Sequence, residues 1–487
     1  MILVKTLLVI YFFAHNNKLT KIEILSLVVG MLKPVLLKNG LTVLRFPKIP
    51  SNIFLCGFVV KTGSLVEAGN FPQGISNLLR TMFWCGTDRY PSKRALNTLI
   101  ESIGSTFFSE VDFHSTSFYL VSPYYHQKQA VSILAEIIQH SYFDTKDLEV
   151  QKRRILDLIK KSEDSFTEEC AQLSLNNLYG DTGLGLPILG TIESLLAITQ
   201  EHIYEYLARQ YQPSKAYLIL GGNFDNKTIL PTIDQYWSIW QPKSQPTIDL
   251  FEPKMEDLGN FPRVLYKQRG IPTTHLMVNF VLPQGLAIQN SLSESGLEIK
   301  PDSEEFEQLL EEKLFWLAKL YLLNTVLGTG FSSRLWIKGV EEEMFFEDVQ
   351  SELVLFKHTG FLKIYGATEN SQFTFALESI LSVLEGLKKT TMSITELNKA
   401  KEQLKGNLLI ENESLVNYTK LQVKNLILSD SIWDLEKLLY KIDEIDTTDI
   451  RNLANQIFAL DNLFLTILGT AKQTRLVEKL IQKFLAT

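Results

Sequence analysis

Short apolar runs alternate along the chain with longer segments in which apolar residues recur every three or four positions. The first pattern is typical of buried strands and the second of amphipathic helices. We predict strands at residues 53–60, 117–121, 216–221, 275–282, 361–365 and 463–469, and helices at 76–85, 147–161, 317–327 and 396–409. This order favours an α+β fold in which helices cover a mostly antiparallel sheet.

The elements of the second half repeat those of the first half in the same order, which indicates an internal duplication. We therefore predict two homologous domains, at residues 31–240 and 263–487, joined by the Pro-rich polar linker 241–262. The spacing between matching elements lengthens once, across the polar and acidic segment 287–312. We interpret that segment as a surface insertion running into a lengthened helix.

The N-terminal segment 1–30 carries an apolar run that is too short to span a bilayer comfortably. Three interpretations remain open for it: a mis-assigned start, with Met31 as the true first residue; a signal or anchor segment; or an additional packed helix. The first recognisable domain begins at Met31 in each case.

The composition of the chain argues against nucleic-acid binding, firm membrane association and a disulfide scaffold. The 487 residues carry a formal net charge of -7 and no Lys/Arg-rich block, so neither nucleic acid nor firm membrane association is expected. The three cysteines, Cys56, Cys85 and Cys170, are too few and scattered for a disulfide framework, and we predict buried free thiols. A cytoplasmic location fits such thiols, although the N-terminal apolar run leaves export or anchoring open.

The run Gly74–Thr87 reads G-I-S-N-L-L-R-T-M-F-W-C-G-T. It resembles the zinc-binding helix of the insulinase/pitrilysin peptidases, the M16 family, which reads roughly G-x-S-H-x-x-E-H-x-x-F-x-G-T. The residues that frame that motif are all present, namely Gly74, Ser76, Phe83, Gly86 and Thr87.

The residues that perform the family's chemistry are absent from this run. Two histidines at i and i+4 bind a metal from one helix face, and a glutamate between them activates water. Here Asn77 and Thr81 occupy the histidine positions and Arg80 occupies the position of the glutamate. Amide and hydroxyl groups are poor zinc ligands, and a guanidinium repels a dication.

Further motifs extend the resemblance from about Leu32 to the C-terminus. Leu186–Thr191 looks like the family's L-G-x-x-I-L-G-T loop, and Gly330–Leu335 looks like its G-M-S-S-R-L motif. The resemblance implies two homologous domains of the M16 type, also called the LuxS/MPP-like metallohydrolase fold. It also implies a family in which some chains act alone and others pair one active subunit with one inactive subunit.

The other functional positions of the family have also diverged. The family's third zinc ligand is a glutamate on a later helix. In this chain the nearest acid to that position is Asp157, a candidate remnant of the ligand. The second half of the family's active members supplies an arginine and a tyrosine that stabilise the substrate oxyanion. The corresponding positions here are Val340 and Glu347.

These losses predict a catalytically inactive M16 homologue that binds no metal and no cofactor. We expect it to be the peptide-contacting, non-catalytic subunit of a heterodimer with an active zinc peptidase, or to self-associate. Two alternatives remain: a zinc-dependent endopeptidase with a non-standard site, and a stand-alone peptide-binding or scaffold protein. Arg80 either pairs with an acid on the wall of the old site or clamps a peptide carboxylate.

Overall fold

The structure is a computed structural model that describes residues 32–48, 51–241, 248, 252–253, 263–287, 304–459, 462–470 and 474–485. The N-terminal segment 1–30, most of the predicted linker 241–262 and most of the predicted insertion 287–312 lie outside these residues. The interpretations given for them, and the domain boundaries that depend on them, therefore stay predictions.

The described strands form two sheets. The first sheet contains β1 (Leu32–Leu36), β2 (Thr42–Pro47), β3 (Ile53–Val60), β4 (Thr106–Val111), β5 (Thr116–Pro123) and β6 (Ala216–Gly222). The second sheet contains β7 (Arg263–Gln268), β8 (Thr273–Val281), β9 (Val349–Leu355), β10 (Gly360–Glu369) and β11 (Leu463–Gly469). All six predicted strands are confirmed, with small shifts at their ends.

The two sheets share one topology apart from β1, an additional edge strand of the first sheet. The strand order is β1-β2-β6-β3-β5-β4 in the first sheet and β7-β11-β8-β10-β9 in the second. In each sheet one pair is parallel, β2 with β6 and β7 with β11, and the other pairs are antiparallel. The predicted duplication and the mostly antiparallel character of the sheets are therefore confirmed.

The helices of the first half are α1 (Ile75–Met82), α2 (Lys93–Ser102), α3 (Gln127–His140), α4 (Thr145–Glu163), α5 (Phe166–Tyr179), α6 (Ile192–Ala197), α7 (Gln200–Gln210) and α8 (Asn226–Trp237). Those of the second half are α9 (Glu304–Gly328), α10 (Phe373–Lys389), α11 (Ile394–Glu413), α12 (Leu415–Ser429), α13 (Leu435–Glu444), α14 (Thr447–Ile457) and α15 (Thr474–Leu485). A short helix at Arg334–Trp336 runs directly into a π-helical turn at Ile337–Glu342. The four predicted helices are present, and the lengthened second-half helix is α9.

Spatial contacts divide the chain into two compact units whose segments interleave. Among the described residues, one unit draws on those within 32–62, 77–151 and 199–248, and the other on those within 63–76, 152–198 and 252–485. In the second unit α5 packs on β8 and β11, where Cys170 lies beside Met277 and Leu468. Helix α5 thus covers the second sheet, although it precedes that sheet by many residues.

The first sheet has a dense aromatic core. Every residue of β3 after Ile53 is buried, and α3 covers this strand. The ring of Phe58 stacks on Trp237 of α8 at 5.6 Å. Apolar contacts of this kind give the sheet its stability and fix the helices around it.

The three cysteines, Cys56, Cys85 and Cys170, are all buried and free, as predicted. Among the described residues, no helix combines the length and the apolar character that a membrane span requires.

Candidate functional site

The start of α1 is held by a buried carboxylate. Glu67 accepts hydrogen bonds from the backbone N–H groups of Gly74 at 2.7 Å and Ser76 at 2.9 Å, and the hydroxyl of Ser76 donates to the carbonyl of Gly63 at 3.0 Å. Burial raises the pKa of Glu67 to about 7, although these hydrogen bonds favour its ionised form. Gly74 has φ +87°, and a Cβ there would lie 2.5 Å from the carbonyl oxygen of Leu189.

The end of α1 is fixed by packing. The ring of Phe83 contacts those of Phe118, Phe143 and Tyr211, with centroids 5.0 to 5.5 Å apart. A few residues later, the hydroxyl of Thr87 donates to the Glu136 carboxylate at 2.8 Å. The residues that frame the motif therefore have structural roles that need no metal.

Arg80 lies at the centre of a hydrogen-bond network on α1. Its Nε and Nη2 donate to Oδ1 of Asn77 at 3.3 and 2.9 Å. Its Nη1 donates to the backbone carbonyl and to the hydroxyl of Ser109 on β4, both at 3.2 Å. Burial lowers the pKa of Arg80, and the nearby groups of Tyr211 and Glu110 act in the opposite direction. The guanidinium is thus clamped between its own helix and the sheet.

The other two positions of the altered motif are also engaged within the protein. Asn77 is 5% exposed, and its Nδ2 is buried with no hydrogen-bond partner in the described part of the chain. The hydroxyl of Thr81 donates to the carbonyl of Leu78 on the preceding turn, at 2.7 Å. Such a bond within the helix turns the hydroxyl back onto the backbone.

The zinc ion that the resemblance implies does not fit these side chains. The amide oxygen of Asn77 already accepts from a guanidinium, and the Thr81 hydroxyl is bonded to the helix backbone. Zinc sites require several nitrogen, sulfur or carboxylate ligands around one point. Among the residues that the structure describes, no three His, Cys, Asp or Glu side chains converge in this way.

A cavity of about 290 Å³ opens beside α1. Trp84 and Phe107 form its aromatic wall, and Phe108, whose ring stacks on Tyr119, also borders it. Its polar lining comes from Arg80, Thr81, Lys93, Ser109 and Gln151. The altered motif therefore lines a cavity with two cationic side chains, Arg80 and Lys93, and with no acidic side chain among its lining residues.

Sequence reasoning overlooked Gln151. It shares the buried face of α4 with Ile155 and Ile159, at the i, i+4, i+8 spacing of a helix, and its amide donates to Sγ of Cys85 at 3.3 Å. Asp157, the candidate remnant of a ligand, lies on the exposed side of the same helix. The helical periodicity of residues 147–161 could have shown that Gln151 lies on the buried face of the helix and Asp157 on the exposed face.

The second-half positions do not supply oxyanion donors. Val340 lies half-buried in the π-helical turn Ile337–Glu342, and Glu347 is exposed just before β9. Arg334, from the Gly330–Leu335 motif, forms a bidentate ion pair with Glu396, at 2.8 and 3.0 Å. That arginine is therefore held by a carboxylate of its own unit.

Family models match most of the chain. A model described as "Insulinase (Peptidase family M16)" matches residues 47–192, and one described as "Peptidase M16 inactive domain" matches residues 197–404. The chain is 26% identical over 431 residues to an uncharacterized zinc protease, YmxG, of Bacillus subtilis, covering 88% of this chain and 97% of that protein. It is 25% identical over 423 residues to an uncharacterized zinc protease of Rickettsia felis, covering 87% and 94%.

Solved structures share the fold. A protease from Helicobacter pylori superposes with a TM-score of 0.75 at 17% identity, covering 90% of this chain and 99% of that chain. A peptidase M16 inactive domain from Pseudomonas fluorescens gives a TM-score of 0.74 at 18% identity, covering 90% and 98%. These structures share the fold, and the two family models, which together match most of the chain, establish that it belongs to the M16 peptidase family.

Proposed function

We propose that this chain is a catalytically inactive M16 homologue. It serves as the non-catalytic, peptide-contacting subunit of a heterodimer whose other chain carries an intact H-x-x-E-H helix. The observation that carries the proposal is the network in which Arg80 donates to Asn77 and Ser109. In the sequence resemblance, Asn77 and Arg80 stand at a histidine position and at the glutamate position of the zinc motif. The buried free thiols favour a reducing compartment for this role, and the cytoplasm is the compartment we propose.

Amide hydrolysis by this family's chemistry requires a metal to activate water and donors to stabilise the oxyanion. Arg80 holds its proton and its charge, so it cannot replace a glutamate as the general base. Val340 has no donor, and the carboxylate of Glu347 would oppose the developing negative charge. Both halves of the reaction machinery are therefore missing from the positions where the family has them.

Peptide contact does not require the metal. β4 is the last strand of the first sheet in the described residues, so its outer edge offers backbone groups for strand addition. The same strand contributes Phe107, Phe108 and Ser109 to the cavity beside Arg80. An extended peptide added to β4 would therefore pair with a strand that lines this cavity, which supports a role in holding peptides.

The test begins with the purified chain alone. We expect substoichiometric zinc by elemental analysis and no chelator-sensitive cleavage of a mixed peptide library. Stoichiometric zinc together with chelator-sensitive cleavage would contradict the proposal and support a peptidase with a non-standard site.

The second part adds an M16 chain that carries H-x-x-E-H and is encoded in the same genome. We expect a 1:1 complex by size-exclusion chromatography with light scattering, and peptide cleavage that exceeds that of the partner alone. A chain that remains a monomer beside every such partner would instead indicate a stand-alone binding protein.

A further inference from the structure

We propose that the cavity beside Arg80 binds a carboxylate of a peptide, with the neighbouring apolar side chain of that peptide packed against Trp84 and Phe107. The proposal rests on the peptide-contacting role given above and specifies its ligand. Two kinds of peptide group carry this chemistry, the C-terminal carboxylate and the side chain of an internal Glu or Asp.

The charge of Arg80 is not balanced by a contacting acid. In the described part of the chain its guanidinium donates only to neutral acceptors, the side chain of Asn77 and the hydroxyl and carbonyl of Ser109. Glu110 acts on the pKa of Arg80 through its charge, but the acceptors of the guanidinium are Asn77 and Ser109. A largely buried cation ordinarily has an anionic partner, and an anion in the cavity would provide one.

The guanidinium of Arg80 is also held in a fixed orientation. Nη2 carries two hydrogens and makes one contact, to Asn77. The hydrogen bonds of Nε to Asn77 and of Nη1 to Ser109 fix the guanidinium from both sides. A carboxylate arriving in the cavity would therefore meet a donor that is already oriented, so little conformational entropy is lost on binding.

A second cation lies on the same cavity. Lys93 is the first residue of α2, and its ammonium lies 5.8 Å from the centre of the Trp84 ring. A positive charge at a helix N-terminus is unfavourable because the helix dipole is positive there. The first turn of α2 has no acid to offset it. An anion between Arg80 and Lys93 would neutralise both.

The shape and the wall of the cavity define the rest of the ligand. The ring of Trp84 stacks on Phe107 at 4.3 Å, which gives a flat apolar surface beside the cations. The volume of about 290 Å³ lies at the lower limit of ligand pockets, which are typically about 300 to 1,000 Å³. It suits a single amino-acid residue better than a longer ligand.

The acids nearest in sequence do not occupy this position. Successive side chains of a strand point to opposite faces, so Glu110 projects away from the face on which Ser109 contacts Arg80. The helix that contributes Gln151 places a neutral amide at the cavity. The cations therefore remain available to a carboxylate that comes from outside.

The test measures the binding of three fluorescein-labelled hexapeptides to the whole chain by fluorescence anisotropy. One ends in Phe with a free carboxylate, the second is the same peptide as the C-terminal amide, and the third is an amide with an internal Glu-Phe pair. We expect at least one carboxylate peptide to bind about tenfold or more tightly than the plain amide, because a charged hydrogen bond is lost with the amide. The tighter of the two identifies the source of the carboxylate.

Variants assign this preference to the cavity. Arg80→Gln should abolish the preference for the carboxylate, Arg80→Lys should keep part of it, and Lys93→Gln should reduce it. Arg153→Gln is the matched control, since Arg153 is an exposed arginine on α4. Circular dichroism and a thermal melt verify that each variant is folded.

Equal affinity of the wild-type chain for all three peptides, or no binding of any of them at millimolar concentration, overturns the carboxylate site and needs no variant. Unchanged carboxylate preference in folded Arg80→Gln overturns it as well. These results are distinct from failure of the inactive-subunit proposal, which shows itself as stoichiometric zinc and chelator-sensitive cleavage.

Discussion

Apart from the additional strand β1, the two sheets have the same strand order, but α1 and α9 carry different kinds of side chain where they approach the pairs Gly86-Thr87 and Gly328-Thr329. When these Gly-Thr pairs are aligned in the sequence repeat, Arg80 on α1 corresponds to Leu322 on α9. Arg80 lines a cavity, whereas Leu322 is completely buried in the core.

The next position shows the same contrast, with Thr81 at the cavity and Leu323 completely buried. The second half demonstrates that this architecture is built with leucine at both positions. The cation and the cavity of the first half are therefore not requirements of the fold. That inference supports a binding role for them, and it can be tested at both helices.

The largest effect on the free energy of unfolding is expected at α9, which has leucine at the positions that match Arg80 and Thr81. Leu322→Ala removes a completely buried side chain from α9 and leaves a cavity, which should lower the free energy of unfolding by about 2 to 5 kcal/mol. Urea denaturation measures the change. Leu409→Ala on α11, where the side chain is 53% exposed, is the control and should change the free energy by less than about 0.5 kcal/mol. A loss at Leu322 no larger than at Leu409 would remove the contrast between the two helices.

The second effect concerns the buried carboxylate that holds the start of α1. Burial raises the pKa of Glu67 from 4.5 to about 7, so the folded chain binds its proton more tightly than the unfolded chain. The stabilisation of the folded chain by this tighter proton binding is fully present below pH 4.5 and is lost as the pH rises towards 7. We expect the free energy of unfolding to fall by about 3 kcal/mol over that interval, because each tenfold difference in proton affinity corresponds to about 1.4 kcal/mol.

Glu67→Gln should remove this component of the pH dependence, and urea denaturation at pH 4.5, 5.5, 6.5 and 7.5 measures it. Asp157→Asn changes an exposed acid and serves as the control. If Glu67→Gln and wild type show parallel pH profiles, Glu67 is not the titrating group, and the start of α1 is held by its other contacts.

The central strands could be predicted from the sequence because burial on both faces produces continuous apolar runs. β3, β8 and β11 are of this kind, and the burial of nearly every residue explains why their bounds were predicted closely. The edge-side strands β1, β2, β4, β7 and β9 were not predicted, and β4 and β9 show why. No residue of β4 is buried, and β9 alternates between buried and exposed positions at its start, so neither has a long apolar run.

The site was predictable only in part. The loss of zinc ligands at Asn77, Arg80 and Thr81 followed from the motif. The partner of Arg80 did not, because Ser109 reaches α1 through the pairing of β4 with β5, which no local pattern shows. The acidic partner considered for Arg80 is not found in the described residues, since Arg80 donates to Asn77 and Ser109 instead.

The smallest effect on stability is expected at α1. There a double variant at Arg80 and Asn77 tests whether the hydrogen-bond network is needed for folding. Arg80→Met alone leaves Oδ1 of Asn77 buried without its donor and should lower the free energy of unfolding by about 1 to 3 kcal/mol. Arg80→Met combined with Asn77→Leu replaces both partners by apolar groups and should lie within about 1 kcal/mol of wild type.

The same urea denaturation series, extended to Asn77→Leu alone, completes a double-mutant cycle. A double variant within about 1 kcal/mol of wild type would show that folding does not need the network, because an apolar pair in its place supports the helix equally well. That result would support a binding role for the network. A double variant that loses as much as the two single variants together would show instead that the network stabilises the fold, and the contrast between α1 and α9 would be one of packing alone.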